Sequence, residues 1–291
     1  MEIKESQYNF SEMHQRMQFY VDAGILPCCA TAVFKGTDLV DHQTFGFMDL
    51  ETREPLRDDA IYRMASNTKL VTSVALMMLQ EEGLFDLDDP LAKFIPEFGE
   101  LQVLQPDATT AADVHPAKNL ISIRHLLSHS AGLSYGFVEP DSVIDQCYLN
   151  GGVNGLGEKD IDLEELCAGI AKLPLAFEPG TSWRYSFATD VCARLVEVLS
   201  GQSFDAFLRQ RIFDPLGMMD TDFWVPQEKA HRLITMYSPE DLFDPMKPGL
   251  NKADDVITGP YRARPKMLSG GGGLVSTVAD YSAFLRMIVN E

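Results

Sequence analysis

Ser66 and Lys69 stand three residues apart in the run Arg63-Met64-Ala65-Ser66-Asn67-Thr68-Lys69, an S-x-x-K arrangement. On the first turn of a helix this spacing puts the hydroxyl and the amine on one face. A serine hydroxyl is a poor nucleophile until a neighbouring base takes its proton, and a neutral lysine can be that base. At a helix start the serine also sits among free N–H groups at the positive end of the dipole, where developing negative charge is favoured. Such a pair could carry out acyl transfer through a serine ester. The same residues also suit a plainer role, with Ser66 as a helix cap and Lys69 solvated in the first turn. The pattern arises by chance about once in a chain of this size, so its surroundings must decide.

The element that must position the pair is the helix that follows. Leu70, Val71, Val74, Ala75, Leu76, Met77, Met78 and Leu79 make it apolar nearly all round, which predicts a buried central helix. Gly83, after Glu81 and Glu82, is the expected C-terminal cap. A serine on the first turn of such a helix is held rigidly, as catalysis requires.

The chain has 291 residues, enough to bury one large core or two smaller ones. Its composition, 45% hydrophobic and 23% charged, is that of a globular protein. A net charge of −19 argues against nucleic acid and anionic membrane surfaces as partners, because no basic field would draw them in. The polar, acidic residues 1–9 predict no signal peptide, and no apolar run is long enough to span a bilayer. Cys28, Cys29, Cys147, Cys167 and Cys192 follow neither disulfide-framework nor zinc spacing. Reduced thiols in a cytoplasmic protein are the expectation.

Along the chain, residues 10–23 have helical spacing, and residues 30–34 and 40–48 read as a β-hairpin around residues 35–38. Two strands alone are marginal, so more sheet or a helix must cover them. The Asp86-Leu87-Asp88-Asp89-Pro90 stretch lacks the glycine and distal glutamate of a calcium loop. Residues 106–118 read as a polar surface insertion and 121–131 as a short helix. His125 and His129 share a face of that helix, but no glutamate or third ligand accompanies them, and packing or hydrogen bonding is the commoner role. Tyr135, in the loop 132–136, suits either a cleft wall or plain packing.

Residues 150–157 form a glycine-rich loop without the G-K-[ST] of a phosphate loop, and 163–173 an amphipathic helix stopped by Pro174. The turn 178–181 delivers Trp183-Arg184-Tyr185-Ser186 into a helix over 188–200, and Ser203 is placed to cap another through residue 212. Residues 233–237 are the one plausible strand within 226–266. The glycine run within 269–273 lacks a dinucleotide fingerprint and predicts close backbone packing beside a cleft. Thr277 with Asp280 opens a last helix.

Several of these stretches carry a resemblance. Arg63 to Lys69, then Glu81-Glu82-Gly83-Leu84-Phe85-Asp86-Leu87-Asp88-Asp89-Pro90, resemble the serine-reactive beta-lactamase-like hydrolases: class C beta-lactamases, DD-peptidases and family VIII carboxylesterases. So do residues 121–133, 177–186 and 272–277, in order. The resemblance implies an α+β fold of the beta-lactamase/transpeptidase type: an antiparallel sheet flanked by helices plus a mainly helical domain, with the active site between them. Residues 1–85 would begin the sheet domain, 86–265 form the helical domain, and 266–291 return to the sheet.

It also implies a serine hydrolase that cleaves carboxylic esters through an acyl-enzyme on Ser66. Lys69 and Tyr185 are expected to share the proton work as a coupled pair, with Lys69 taken as base and Tyr185 as relay, a choice between microstates. No cofactor or metal follows, and the expected partner is a small-molecule ester or lactam. The esterase branch fits best, since Tyr185-Ser186-Phe187 has a phenylalanine where lactam-directed members carry asparagine. Beta-lactamase or DD-peptidase activity, acyl transfer to an alcohol, and a catalytically impaired penicillin-binding-like protein are the alternatives. A third family motif, K-T-G or W-G-G-like, is not found in the sequence, and its strand supplies one oxyanion donor in the family. A truncated chain with an incomplete sheet is therefore expected.

Overall fold

The computed structural model describes residues 3–4, 8–153, 161–253 and 261–290. The chain opens with helix α1 (Ser11–Asp22), then strands β1 (Cys28–Lys35), β2 (Asp38–Asp49), β3 (Glu54–Pro55) and β4 (Tyr62–Arg63). Helix α2 (Thr68–Glu81) and strands β5 (Gln102–Leu104) and β6 (Val114–Pro116) follow. Helices α3 (Ile123–Leu127), α4 (Val143–Asn150), α5 (Leu163–Ile170), α6 (Ala188–Ser200), α7 (Phe204–Leu208) and α8 (Asp214–Leu216) come next. Strands β7 (Tyr237–Pro239), β8 (Leu250–Lys252) and β9 (Val275–Ser276) lead to helix α9 (Val278–Val289). The glycine-rich loop expected over 150–157 lies outside the described residues from 154 onward.

One compact unit comprises Met1–Arg63, Ile212–Arg264 and Val275–Glu291. Its sheet has the antiparallel order β1-β2-β3, with a register shift between Val33 and Phe34. Gly36, at φ +59°, supports the turn between β1 and β2. Leu39, Phe45 and Met48 of β2 are buried, and α1 and α9 lie against the hairpin, the cover that two strands need. Strand β4 pairs with β9, and β7 with β8. The strand expected over 233–237 falls slightly later: Tyr237 to Pro239 pair with β8, while Leu233 makes only a bridge to Ile61.

The second unit comprises Met64–Arg211 and Pro265–Leu274. Helix α6 is its centre, burying Ala188 to Ala193 together with Leu195 and Val196. Helices α2, α3, α5 and α7 pack around it. Helix α2 buries one face through Thr68, Val71, Thr72, Ala75, Leu76 and Leu79, whereas Leu70 is 41% exposed. The expectation of a helix buried nearly all round is corrected to one buried stripe. Gly83 takes the expected left-handed conformation beyond its end, at φ +76°.

Other local readings change for physical reasons. The polar insertion 106–118 contains β6, because Val114 to Pro116 pair with the residues of β5. The helix expected over 121–131 shortens to α3, held by Ser122: its hydroxyl accepts from the His125 N–H while His125 Nδ1 accepts from the Ser122 N–H. Ser203 makes no cap, since its hydroxyl donates to the Asp205 carboxylate, and α7 passes at Leu208 into a π-helical turn, Arg209–Phe213. Thr277 does accept from the Asp280 N–H, but the Asp280 carboxylate turns to the Asp220 N–H and the Thr221 hydroxyl. All five cysteines are free thiols. Among the described residues no helix is long and apolar enough to cross a membrane.

Candidate active site

Ser66 lies one step ahead of the expected position, in a 3-10 turn Ala65–Asn67 that runs straight into α2. Ala65 takes φ +43°, a left-handed conformation that costs a residue with a Cβ about 1 kcal/mol or more. Strain of this kind persists where surrounding structure holds it. Here the Met64 N–H donates to the Leu274 carbonyl at 2.8 Å, and the Leu274 N–H donates to the buried Thr68 hydroxyl at 3.2 Å. The turn presents Ser66 exposed to solvent.

The structure brings all three sequence-predicted residues together. Ser66 Oγ and the Tyr185 hydroxyl are 2.6 Å apart, and Lys69 Nζ is 3.5 Å from Ser66 Oγ. The serine hydroxyl is thus engaged by side chains from two elements. Tyr185 arrives from the segment just before α6, and Lys69 from the first turn of α2. The packing of α2 on α6 sets their separation.

Lys69 has a second partner. Its Nζ donates to the Gly271 carbonyl at 2.6 Å and lies 4.6 Å from the centre of the Tyr185 ring and 5.8 Å from that of Tyr135. A carbonyl and two ring faces form a cradle for a cation. The glycine run meets the expectation of close backbone packing. A Cβ on Gly270 would lie 2.6 Å from the Ala193 Cβ and 2.8 Å from the Thr189 carbonyl oxygen.

Aromatic rings wall the site. The Tyr185 ring is 5.0 Å from His129, 5.4 Å from Tyr135 and 6.5 Å from Trp183, which is 65% exposed. Phe187 is buried, its ring 4.4 Å from that of Tyr135 and 6.3 Å from that of Tyr148, and serves as core packing. Burial, helped by the charges of Asp190 and Tyr185, holds the Tyr135 phenol well above the usual tyrosine range, so Tyr135 stays a donor. Burial and the nearby Lys69 charge push the His129 imidazole down to about 4, so it is neutral at pH 7. His125 is also lowered, mainly by burial. The contacts of both histidines are those of packing and hydrogen bonding: His125 in the α3 cap, His129 beside Ser186 at 3.3 Å.

Arg184 fixes the segment that carries Tyr185. It donates to Ser134 Oγ at 2.7 Å, Asp145 Oδ1 at 3.0 Å and Glu139 Oε2 at 2.7 Å. The spacing of motifs does not reveal this cluster, because its members come from three separate stretches. Gly271 and Asp190 were likewise missed as site residues. The glycine run was the only local signal for the first, and a polar residue on the buried face of α6 could have pointed to the second.

The sequence model of the Beta-lactamase family matches residues 13–291. Protein Rv1367c of Mycobacterium tuberculosis (strain ATCC 25618 / H37Rv) is 34% identical over 270 residues, covering 93% of this chain and 64% of that protein. Esterase EstB of Burkholderia gladioli is 30% identical over 268 residues, covering 81% of this chain and 64% of that protein. The chain therefore spans about two-thirds of the length of these relatives, at 64% of each. Among solved structures it is similar to "EstCE1, a hydrolase with promiscuous acyltransferase activity", with a TM-score of 0.78 and 24% identity over 93% of this chain and 69% of that one. That likeness shows the beta-lactamase/transpeptidase-like fold. On the family match along residues 13–291, the chain belongs to the Beta-lactamase family.

Proposed function

We propose that the protein is a serine hydrolase that cleaves carboxylic esters through an acyl-enzyme on Ser66. The observation that carries this reading is the 2.6 Å contact between Ser66 Oγ and the Tyr185 hydroxyl, with Lys69 Nζ at 3.5 Å. Ser66 Oγ attacks the ester carbonyl carbon as its proton passes to the Tyr185 oxygen. The oxyanion that forms is met by the Ser66 backbone N–H, near the N-terminal end of α2. Collapse breaks the bond to the alkoxide, which leaves with the proton held by Tyr185. Water then attacks the acyl-enzyme by the same route in reverse, and the acid is released.

The distances favour Tyr185 over Lys69 as the immediate proton acceptor, the other of the two microstates expected for the pair. Lys69, anchored on Gly271, then stands as the cation beside the Tyr185 ring, 4.6 Å from its centre. Esterase EstB, 30% identical, supports an ester as substrate. Phe187, buried and 3% exposed, supports an ester over a lactam, because it offers no amide at that position. A second reading has one observation behind it: EstCE1, of the same fold, is described as having promiscuous acyltransferase activity. An alcohol in place of water would intercept the same acyl-enzyme.

The test is turnover of a short-chain p-nitrophenyl ester, with covalent labelling by a fluorophosphonate probe. The wild-type chain is expected to hydrolyse the ester and take the label on Ser66, and Ser66→Ala to do neither. Retained turnover in Ser66→Ala overturns the proposal. Added short-chain alcohol that yields a new ester in place of acid favours the transferase, and nitrocefin turnover a lactamase.

A further inference from the structure

Asp190 is buried at the centre of the second unit and takes no part in the proton transfers above. Two donors converge on its carboxylate: Ser269 Oγ lies 2.6 Å and the Gly271 nitrogen 3.0 Å from Oδ1. Both donate, which suits a carboxylate that only accepts. Burial pushes its titration up, while these donors and the Lys69 charge pull it back down.

Each of these donors leads to the reacting groups. Gly271, whose N–H is held by Asp190, offers its carbonyl to Lys69 Nζ at 2.6 Å. Tyr135 lays its ring 5.8 Å from the same Nζ and 5.4 Å from the Tyr185 ring. Ser269 also accepts from the Gly272 N–H at 3.1 Å, which closes the loop that carries Gly271. A Cβ on Gly271 would lie 2.5 Å from Asp190 Oδ2 and 3.0 Å from the Tyr135 hydroxyl, so the backbone approaches as closely as only glycine allows. Asp190 lies in the first turn of α6, the helix that follows Tyr185.

We propose that Asp190 is a positioning residue for the reaction: through Ser269 and the Gly271 N–H its carboxylate holds the Gly271 carbonyl in the place from which it orients Lys69 toward Ser66 and Tyr185. The proposal rests on the hydrolase reading above and adds to it a residue that never touches substrate. Misplacing a reacting group by about 1 Å costs on the order of a hundredfold in rate. A buried anchor two contacts away can exert that control because the contacts between are short and rigid.

The test compares Asp190→Ala, Asp190→Asn and Ser269→Ala in the full chain. Thermal melts fix the folded fraction, and kcat and KM are read on the p-nitrophenyl ester. Asp190→Ala is expected to lower kcat by about tenfold to a hundredfold per folded molecule, with KM little changed. Asp190→Asn keeps an oxygen for Ser269 and Gly271 and is expected to recover most of that loss. Should Asp190→Ala not fold, Ser269→Ala serves in its place, with an expected several-fold fall in kcat at constant KM. Wild-type kcat in a folded Asp190→Ala or, failing that, in Ser269→Ala overturns the proposal, as does an effect confined to KM or no recovery in Asp190→Asn. A wild-type chain with neither label nor turnover overturns the hydrolase reading itself, and this one with it.

Discussion

The Lys69 amine lies nearer to the carbonyl oxygen of Gly271, at 2.6 Å, than to the hydroxyl of Ser66, at 3.5 Å. The lysine is tethered to backbone, and the serine's short contact is to a phenol. A base acts through the hydrogen bond it already makes, so geometry ranks Tyr185 first for the proton. Tyr185→Phe keeps the ring over Lys69 and removes only the hydroxyl. It is expected to lower kcat by about 10²- to 10⁴-fold in single-turnover hydrolysis of the ester. Lys69→Ala should fall in the same range, and the double variant little further, because residues acting as one unit are not additive. A Tyr185→Phe chain near wild type would hand the proton to Lys69.

Arg184 and Asp145 make an ion pair whose side chains are 14% and 0% exposed. Removing one partner strands a buried charge, at a cost of about 3–5 kcal/mol. Arg184→Ala should therefore lower the urea midpoint sharply. Because Arg184 also braces Ser134 and precedes Tyr185, kcat per folded molecule should fall as well. Glu139→Gln alters only the exposed arm of the cluster, whose carboxylate is 63% exposed, and is expected to move the midpoint little. Equal midpoints for Arg184→Ala and wild type would remove the brace.

Gly270 is the contact point at which the segment before β9 passes α2 and α6. A methyl there would meet the Ala193 Cβ at 2.6 Å, the Thr189 oxygen at 2.8 Å and the Thr72 Cγ2 at 3.1 Å. Two of these are helix α6 atoms that cannot turn aside. Gly270→Ala is expected to cost about 1–3 kcal/mol by overpacking and to slow ester turnover, since the next residue anchors Lys69. Gly99→Ala is the control, because its nearest new neighbour would be the Ala92 Cβ at an ordinary 3.8 Å. Similar unfolding curves for the two variants would contradict the packing argument.

What the sequence discloses depends on how local each interaction is. Ser66 and Lys69 are legible because three residues of helix fix their spacing, and Gly83 because a helix end needs a left-handed residue. Tyr185 is 119 positions from Ser66, and only the motif resemblance connects them before the structure does. Asp190 and Gly271, 81 positions apart, have no local signature of their meeting. Hydrophobic patterning reports which face of α6 is buried and makes a carboxylate there stand out, but it does not say what that carboxylate meets. The β-hairpin was legible from two strand-forming runs around the turn over 35–38, whereas β6 and β7, three residues each, are too short to leave a period.

His129 makes part of the stability depend on pH. Burial and, secondarily, the charge of Lys69 hold its imidazole at about 4 in the folded chain. In an unfolded chain a histidine takes its proton near 6.5, on the order of the free side chain. Between these values the unfolded state binds more protons than the folded one, so stability is fully present above about 6.5 and is lost as pH falls toward about 4. His129 sits at φ +54°, a conformation that asparagine tolerates, which makes His129→Asn the suitable variant. Thermal midpoints of wild type and His129→Asn should run parallel above pH ~6.5 and converge as pH is lowered toward ~4, the wild type losing more. Some slope will remain in the variant, since His125 is shifted in the same direction by burial. Identical pH profiles for the two chains would mean that the imidazole is reached by protons in the folded state as freely as in the unfolded one.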